Sequence, residues 1–126
     1  MQISPFASGP FEPGDEQFSC EVVPERDHVR VAPAGELDMA SCPALEERIR
    51  ELRDLGFDYI VLDLRRLRFL DSTGLRLLLE LSAAARENAH RLELIEGPPD
   101  VQRVIELTRT RRVLPFRDGY GQAPPS

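Results

Sequence analysis

The segment DYIVLDLRRLRFLDSTGLRLLLEL, Asp58 to Leu81, joins an apolar run to a leucine-rich run through a short polar bridge. The first run, Asp58 to Leu64, is rich in β-branched residues and does not alternate, the pattern of a strand covered on both faces. The second places Leu75, Leu77, Leu78, Leu79 and Leu81 around most of a helical wheel, leaving a narrow polar face of Arg76, Glu80 and Glu87. A buried strand feeding a buried helix requires a sheet with a helical layer, which is an α/β architecture.

The remaining segments extend that reading. QFSCEVV alternates Phe18, Cys20 and Val22 with polar residues, and HVRVAPAG sets Val29 and Val31 on one face, so the two predict a hairpin turning at PERD. SCPALEERIRELRDLGF carries Leu45, Ile49, Leu52 and Leu55 at helical spacing, with Ser41 or Cys42 as cap, Pro43 in the first turn and Gly56 as the stop. On its outer face Glu46 with Arg50, and Arg50 with Asp54, are spaced for ion pairs. RLELIEG predicts a strand, PPDVQRVIEL a short helix, and RRVLPF a last strand at Val113 and Leu114. The order β-β-α-β-α-β-α-β implies a small mixed, mostly parallel sheet flanked by helices, with right-handed crossovers. One domain over residues 17–116 is expected, between a flexible leader, 1–16, and a flexible tail, 117–126.

Composition removes several functions. All 16 basic residues are arginine, and without lysine there is no Walker A loop, kinase strand lysine, Schiff base or Ser-Lys hydrolase. A net charge of −6 disfavours nucleic acid and anionic membranes as partners, and the Arg65, Arg66, Arg68 group reads as solvated loop arginines. Cys20 and Cys42 form no C-x-x-C pattern, so two unpaired thiols in a reducing cytoplasm are expected, with no metal and no cofactor. Cys42 lies near a helix start, a place that can lower a thiol pKa, although packing beside Pro43 also accounts for it. His28 and His90 stand at element boundaries without a nucleophile elbow. Asp71 is separated from Gly74 by one residue more than an aspartic protease motif allows, so an enzyme is not indicated.

Loops at the carboxyl ends of strands form the functional edge of such sheets. Two polar loops fall there, GELD (Gly35 to Asp38) and LDSTG (Leu70 to Gly74). Asp71, Ser72 and Thr73 offer three capping side chains where one suffices, so at least one hydroxyl is not needed for the cap. A helix start also favours added negative charge, so Ser72 can carry a phosphate without refolding the segment. Arg76, one turn after Ser72, is spaced to pair either with that phosphate or with Glu80.

GELDMASCPAL and YIVLDLRRLRFLDSTGLRLLLEL, with the spacing between them, resemble the STAS domain, specifically the bacterial anti-sigma factor antagonists, over residues 17 to 116. The resemblance implies phosphorylation of Ser72 by an anti-sigma factor serine kinase, reversal by a PP2C-type phosphatase, and release of a sigma factor when the unphosphorylated chain binds the kinase. It places Asp71, Thr73 and Gly74 around the phosphosite and makes Asp38 a kinase-contacting acid. No basic n-region precedes an apolar core and no apolar run approaches bilayer length, so a cytoplasmic protein is expected, a monomer when free. A C-terminal helix usual in that family has no counterpart in the pattern of RDGYGQAPPS. A second reading keeps the fold as a non-switching scaffold module of a stress-signalling or lipid-transport complex, with Ser72 only a cap.

Overall fold

Alternating apolar residues form the expected hairpin, in which β1 (Phe18–Pro24) runs antiparallel to β2 (Val29–Leu37) with Val22 opposite Val31. The structure, a computed structural model, describes residues 18–117. Both proposed flexible ends therefore lie outside the described residues, apart from Arg117. After the hairpin come α1 (Cys42–Asp54), β3 (Tyr59–Asp63), β4 (Leu67–Leu70), α2 (Ser72–Glu87), β5 (Arg91–Ile95) and α3 (Pro99–Leu107).

The sheet order is β1-β2-β3-β5, with β4 also paired to β2, and every pairing after the hairpin is parallel. β3 is central, as its composition predicts. β1 and β4 both pair at Gly35, so β4 must lie on the edge of β2 that β3 also occupies. β3 and β4 are thus two halves of one interrupted strand, bent at Leu64 to Arg66. The expected arginine loop is in fact this bend plus a strand. Its register shifts between Gly35 and Glu36, so Arg68 and Phe69 are both exposed between buried Leu67 and Leu70. That bulge breaks the two-residue period on which strand recognition depends.

A second difference concerns Val113 and Leu114. Instead of a strand, Arg111–Val113 form a 3-10 turn, and only Phe116 bridges to Leu94. Pro115 donates no hydrogen bond and restricts Leu114 before it, which limits pairing to one bridge. Even so, the Leu94 N–H donates to the Pro115 carbonyl at 2.9 Å, and the Arg117 N–H to Leu94 at 2.8 Å, so the outer edge of β5 is covered.

The strand registers place Val29, Val31, Ile60, Leu62, Leu92 and Leu94 on one face, where they share the core with Leu45, Ile49 and Leu52 of α1 and Leu75, Leu78 and Ala85 of α2. Val61 lies on the opposite face yet is wholly buried. Its cross-strand partners are Arg30 on β2 and Glu93 on β5, and salt-bridged side chains therefore flank it. Arg30 binds Asp63 at 3.2 Å and Glu25 at 3.1 Å, Arg65 binds Asp63 at 2.8 Å, and the Tyr59 hydroxyl donates to Glu93 at 2.8 Å. Burial pushes the Asp63 carboxyl up, but hydrogen bonds from Arg65 and the charges of Arg65 and Arg30 outweigh it and hold the group below the usual range.

Candidate functional site

The expected GELD loop is mostly strand, since Gly35, Glu36 and Leu37 end β2 and Leu70 ends β4, so the two turns start at Asp38 and Asp71 and meet at one backbone oxygen. The Leu37 carbonyl accepts the Asp71 N–H at 3.3 Å, and a Cβ built on Gly74 would stand 2.5 Å from that same oxygen. Gly74 is therefore required by close approach of α2 to the end of β2, a role that the helical pattern alone does not reveal. Asp71 caps the helix: its extended backbone precedes the first turn, and its carboxylate accepts the Gly74 N–H at 2.9 Å.

With Asp71 committed, the two hydroxyls that follow are free. Ser72 is exposed, Thr73 is half-buried, and neither side chain makes a hydrogen bond among the described residues. The apolar body of α2 is buried through Leu75, Leu77, Leu78, Ser82 and Ala85, with Leu79 and Leu81 half-buried, so the helix start is held at a fixed position. Arg76 is exposed and forms no ion pair among the described residues; the alternative pairing with Glu80 does not occur.

Asp38 is organised differently from a bare surface acid. One of its carboxylate oxygens accepts the Ala40 N–H at 3.0 Å and the Ser41 N–H at 3.1 Å, while its carbonyl accepts the Cys42 N–H at 2.9 Å. Ser41 has helical backbone angles and makes no side-chain cap bond, so the capping expected of Ser41 or Cys42 falls to Asp38 one turn earlier. The buried Ser41 hydroxyl instead donates to the Glu36 carbonyl at 2.7 Å and accepts the Asp38 N–H at 3.0 Å. In the sequence Ser41 reads only as a cap, and nothing there marks it as the pin of this turn.

Cys42 sits between the two loops and reports their electrostatics. Burial, followed by the charges of Asp71, Asp38, Glu46 and Glu80, pushes its thiol up to about 11. The lowered pKa that a helix start can confer is overturned by this surrounding of acids. Of the expected α1 ion pairs, neither occurs: Arg50 pairs with Glu47, and Glu46 has no ion pair among the described residues. Both cysteines are free and buried, and among the described residues no group of His, Cys, Asp and Glu could hold a metal ion. No helix of the described residues is long and apolar enough to cross a membrane.

The two turns thus form an acidic edge on which the exposed Ser72 hydroxyl makes no hydrogen bond among the described residues. A family model described as "Mlab, STAS domain" matches residues 20–115. The chain belongs to the STAS domain family. It is 27% identical over 102 residues to an anti-sigma-B factor antagonist of Staphylococcus aureus, covering 81% of this chain and 94% of that protein. The crystal structure of an anti-sigma factor antagonist from Mycobacterium paratuberculosis superposes with a TM-score of 0.68 at 27% identity, covering 86% of this chain and 92% of the other. The phosphorylated form of the Bacillus cell fate determinant SpoIIAA gives 0.58 at 25% identity, covering 79% and 90%. These are names of regulatory binding proteins, not of enzymes.

Proposed function

We propose that this chain is a cytoplasmic anti-sigma factor antagonist whose binding is switched at Ser72. Unphosphorylated, the edge formed by Asp38 and the start of α2 (Asp71, Ser72, Thr73, Gly74, Arg76) docks on an anti-sigma factor serine kinase, which then releases its sigma factor. Phosphorylation by that kinase ends the docking, and a PP2C-type phosphatase restores it. The observation that carries this reading is the division of labour in the loop: Asp71 supplies the cap, leaving the Ser72 hydroxyl exposed and without a hydrogen bond among the described residues. If Ser72 served only as a cap, as in a non-switching scaffold, its hydroxyl would be engaged.

A phosphate at Ser72 adds about −1.5 to −2 charges beside Asp71 and close to Asp38. Like-charge repulsion and desolvation in the interface costing about 3 kcal/mol weaken binding by roughly a hundredfold. Arg76 is the cation spaced to pair with the phosphoserine and reduce that penalty. The helix start itself tolerates the dianion, so the fold survives modification.

Incubation with each purified anti-sigma serine kinase of the host and ATP, followed by mass spectrometry, is expected to place one phosphate on Ser72. Binding of the same kinase is expected for wild type and Ser72→Ala and to be lost in Ser72→Asp. No incorporation with any such kinase, or equal binding by Ser72→Asp, removes the switch.

A further inference from the structure

The turn Asp38 to Ser41 holds a large apolar side chain in solvent. Met39 is 73% exposed, although the backbone on either side of it is pinned. The Ser41 hydroxyl closes the turn through Glu36 and Asp38, the Asp38 carboxylate ties down the Ala40 and Ser41 amides, and the Leu37 carbonyl holds the turn against the start of α2. The other large apolar groups exposed among the described residues are placed differently: Leu55 and Leu107 close the carboxyl ends of α1 and α3, Val113 lies in the 3-10 turn, and Phe69 is on the bulge of β4. Single exposed apolar residues are ordinary, but this one is displayed on a preordered turn beside the candidate phosphosite. Its position is set before any partner arrives, which lowers the ordering cost of binding.

The charge around the turn defines what fits it. Asp38, Asp71, Glu46 and Glu80 all act on the Cys42 thiol, and none forms an ion pair among the described residues. The acids on the open sheet face are, in contrast, neutralised by arginines, as Asp63 is by Arg30 and Arg65. A partner surface that covers Met39 must therefore present cationic groups around an apolar recess.

We infer that Met39 is the apolar anchor of the partner interface, that Ser41 is the positioning residue holding it there, and that the partner contributes an apolar recess rimmed by basic side chains. This rests on the partner-binding reading above and names the chemistry of the surface bound. Methionine suits the role because its flexible thioether fits irregular recesses. Ser41 touches no partner, being buried, and acts only through the turn.

The test uses the full chain and the host anti-sigma serine kinase that phosphorylates Ser72 in the assay above. Met39→Ala removes no contact that holds the fold and is expected to weaken kinase binding about tenfold. It is expected to raise KM for Ser72 phosphorylation while leaving kcat unchanged, the mark of binding lost uniformly. Met39→Leu is expected to bind within about twofold of wild type. Ser41→Ala is expected to raise KM as well and to speed hydrogen exchange at the amides of Asp38, Ala40 and Ser41, and Ser41→Thr to restore both.

If wild type is bound and phosphorylated while Met39→Ala matches it within twofold, the anchor assignment falls and the switch stands. If Met39→Ala fails as expected but Ser41→Ala leaves KM unchanged, the positioning role falls. If no kinase binds or phosphorylates wild type, the switch reading fails and the anchor with it.

Discussion

Gly74→Ala separates helix propensity from close packing. In an open helix interior, alanine would add about 1 kcal/mol over glycine. Here the new Cβ would stand 2.5 Å from the Leu37 carbonyl oxygen, 2.7 Å from Leu70 Cδ1 and 3.1 Å from Leu37 Cγ. Ordinary contact begins near 3.4 Å, so the first turn of α2 would have to withdraw by about 0.9 Å from the end of β2. That withdrawal stretches the Asp71 N–H to Leu37 hydrogen bond, already 3.3 Å, past useful length. Overpacking costs about 1 to 3 kcal/mol and the lost bond about 1 kcal/mol. After subtracting the propensity gain, a net loss of about 1 to 3 kcal/mol remains, or roughly 4 to 8 °C in Tm per kcal/mol for a domain of this size. Urea titration followed by circular dichroism measures it. An Ala variant as stable as wild type, or more stable, would refute the close approach. Because the clash lies where the two loops meet, the same variant is expected to lose kinase binding by more than its stability loss explains.

Other consequences follow from the same geometry. Asp63→Asn leaves Arg30 and Arg65 facing a neutral amide, and is expected to cost about 2 to 3 kcal/mol in denaturant titration, at the lower end for a buried pair because Arg65 is half-exposed. The Asp63 carboxyl lies below its unfolded value, so its contribution is complete above about pH 4 and is lost as pH falls through the folded pKa. Stability of wild type is therefore expected to fall with acidification there, and the contribution of this group to the slope to vanish in the Asn variant. Asp71→Ala should lose about 1 kcal/mol with its cap, whereas Ser72→Ala should change stability by less than about 0.5 kcal/mol; equal losses would mean that the hydroxyl shares the capping. Native Cys42, its thiol pushed up to about 11, should alkylate at pH 8 far more slowly than in the urea-unfolded chain, and equal rates would contradict the acidic, buried setting.

Periodicity made the main elements legible. The β-branched run at Tyr59 to Asp63, the apolar spacing of Leu45, Ile49 and Leu52, and the alternation of Val29 and Val31 each carry their own secondary structure in a short window. β4 was not legible, because its bulge sets two successive side chains outward and a strand of four residues has no period left to detect. The final strand failed for a related reason, since Pro115 reduces a β-like composition to a single bridge.

By itself the sequence determined that Asp71, Ser72, Thr73 and Gly74 open a buried helix after a central strand, and that three capping side chains stand where one is enough. Which of them does the capping was decided only in three dimensions, where the Asp71 carboxylate reaches the Gly74 amide and the two hydroxyls make no hydrogen bond among the described residues. The meeting of the two loops at the Leu37 carbonyl, the pinning of Met39 by Ser41, and the acids gathered around Cys42 are likewise tertiary facts. Each depends on residues over 30 positions apart in the chain, or on a hydroxyl whose direction local spacing leaves open.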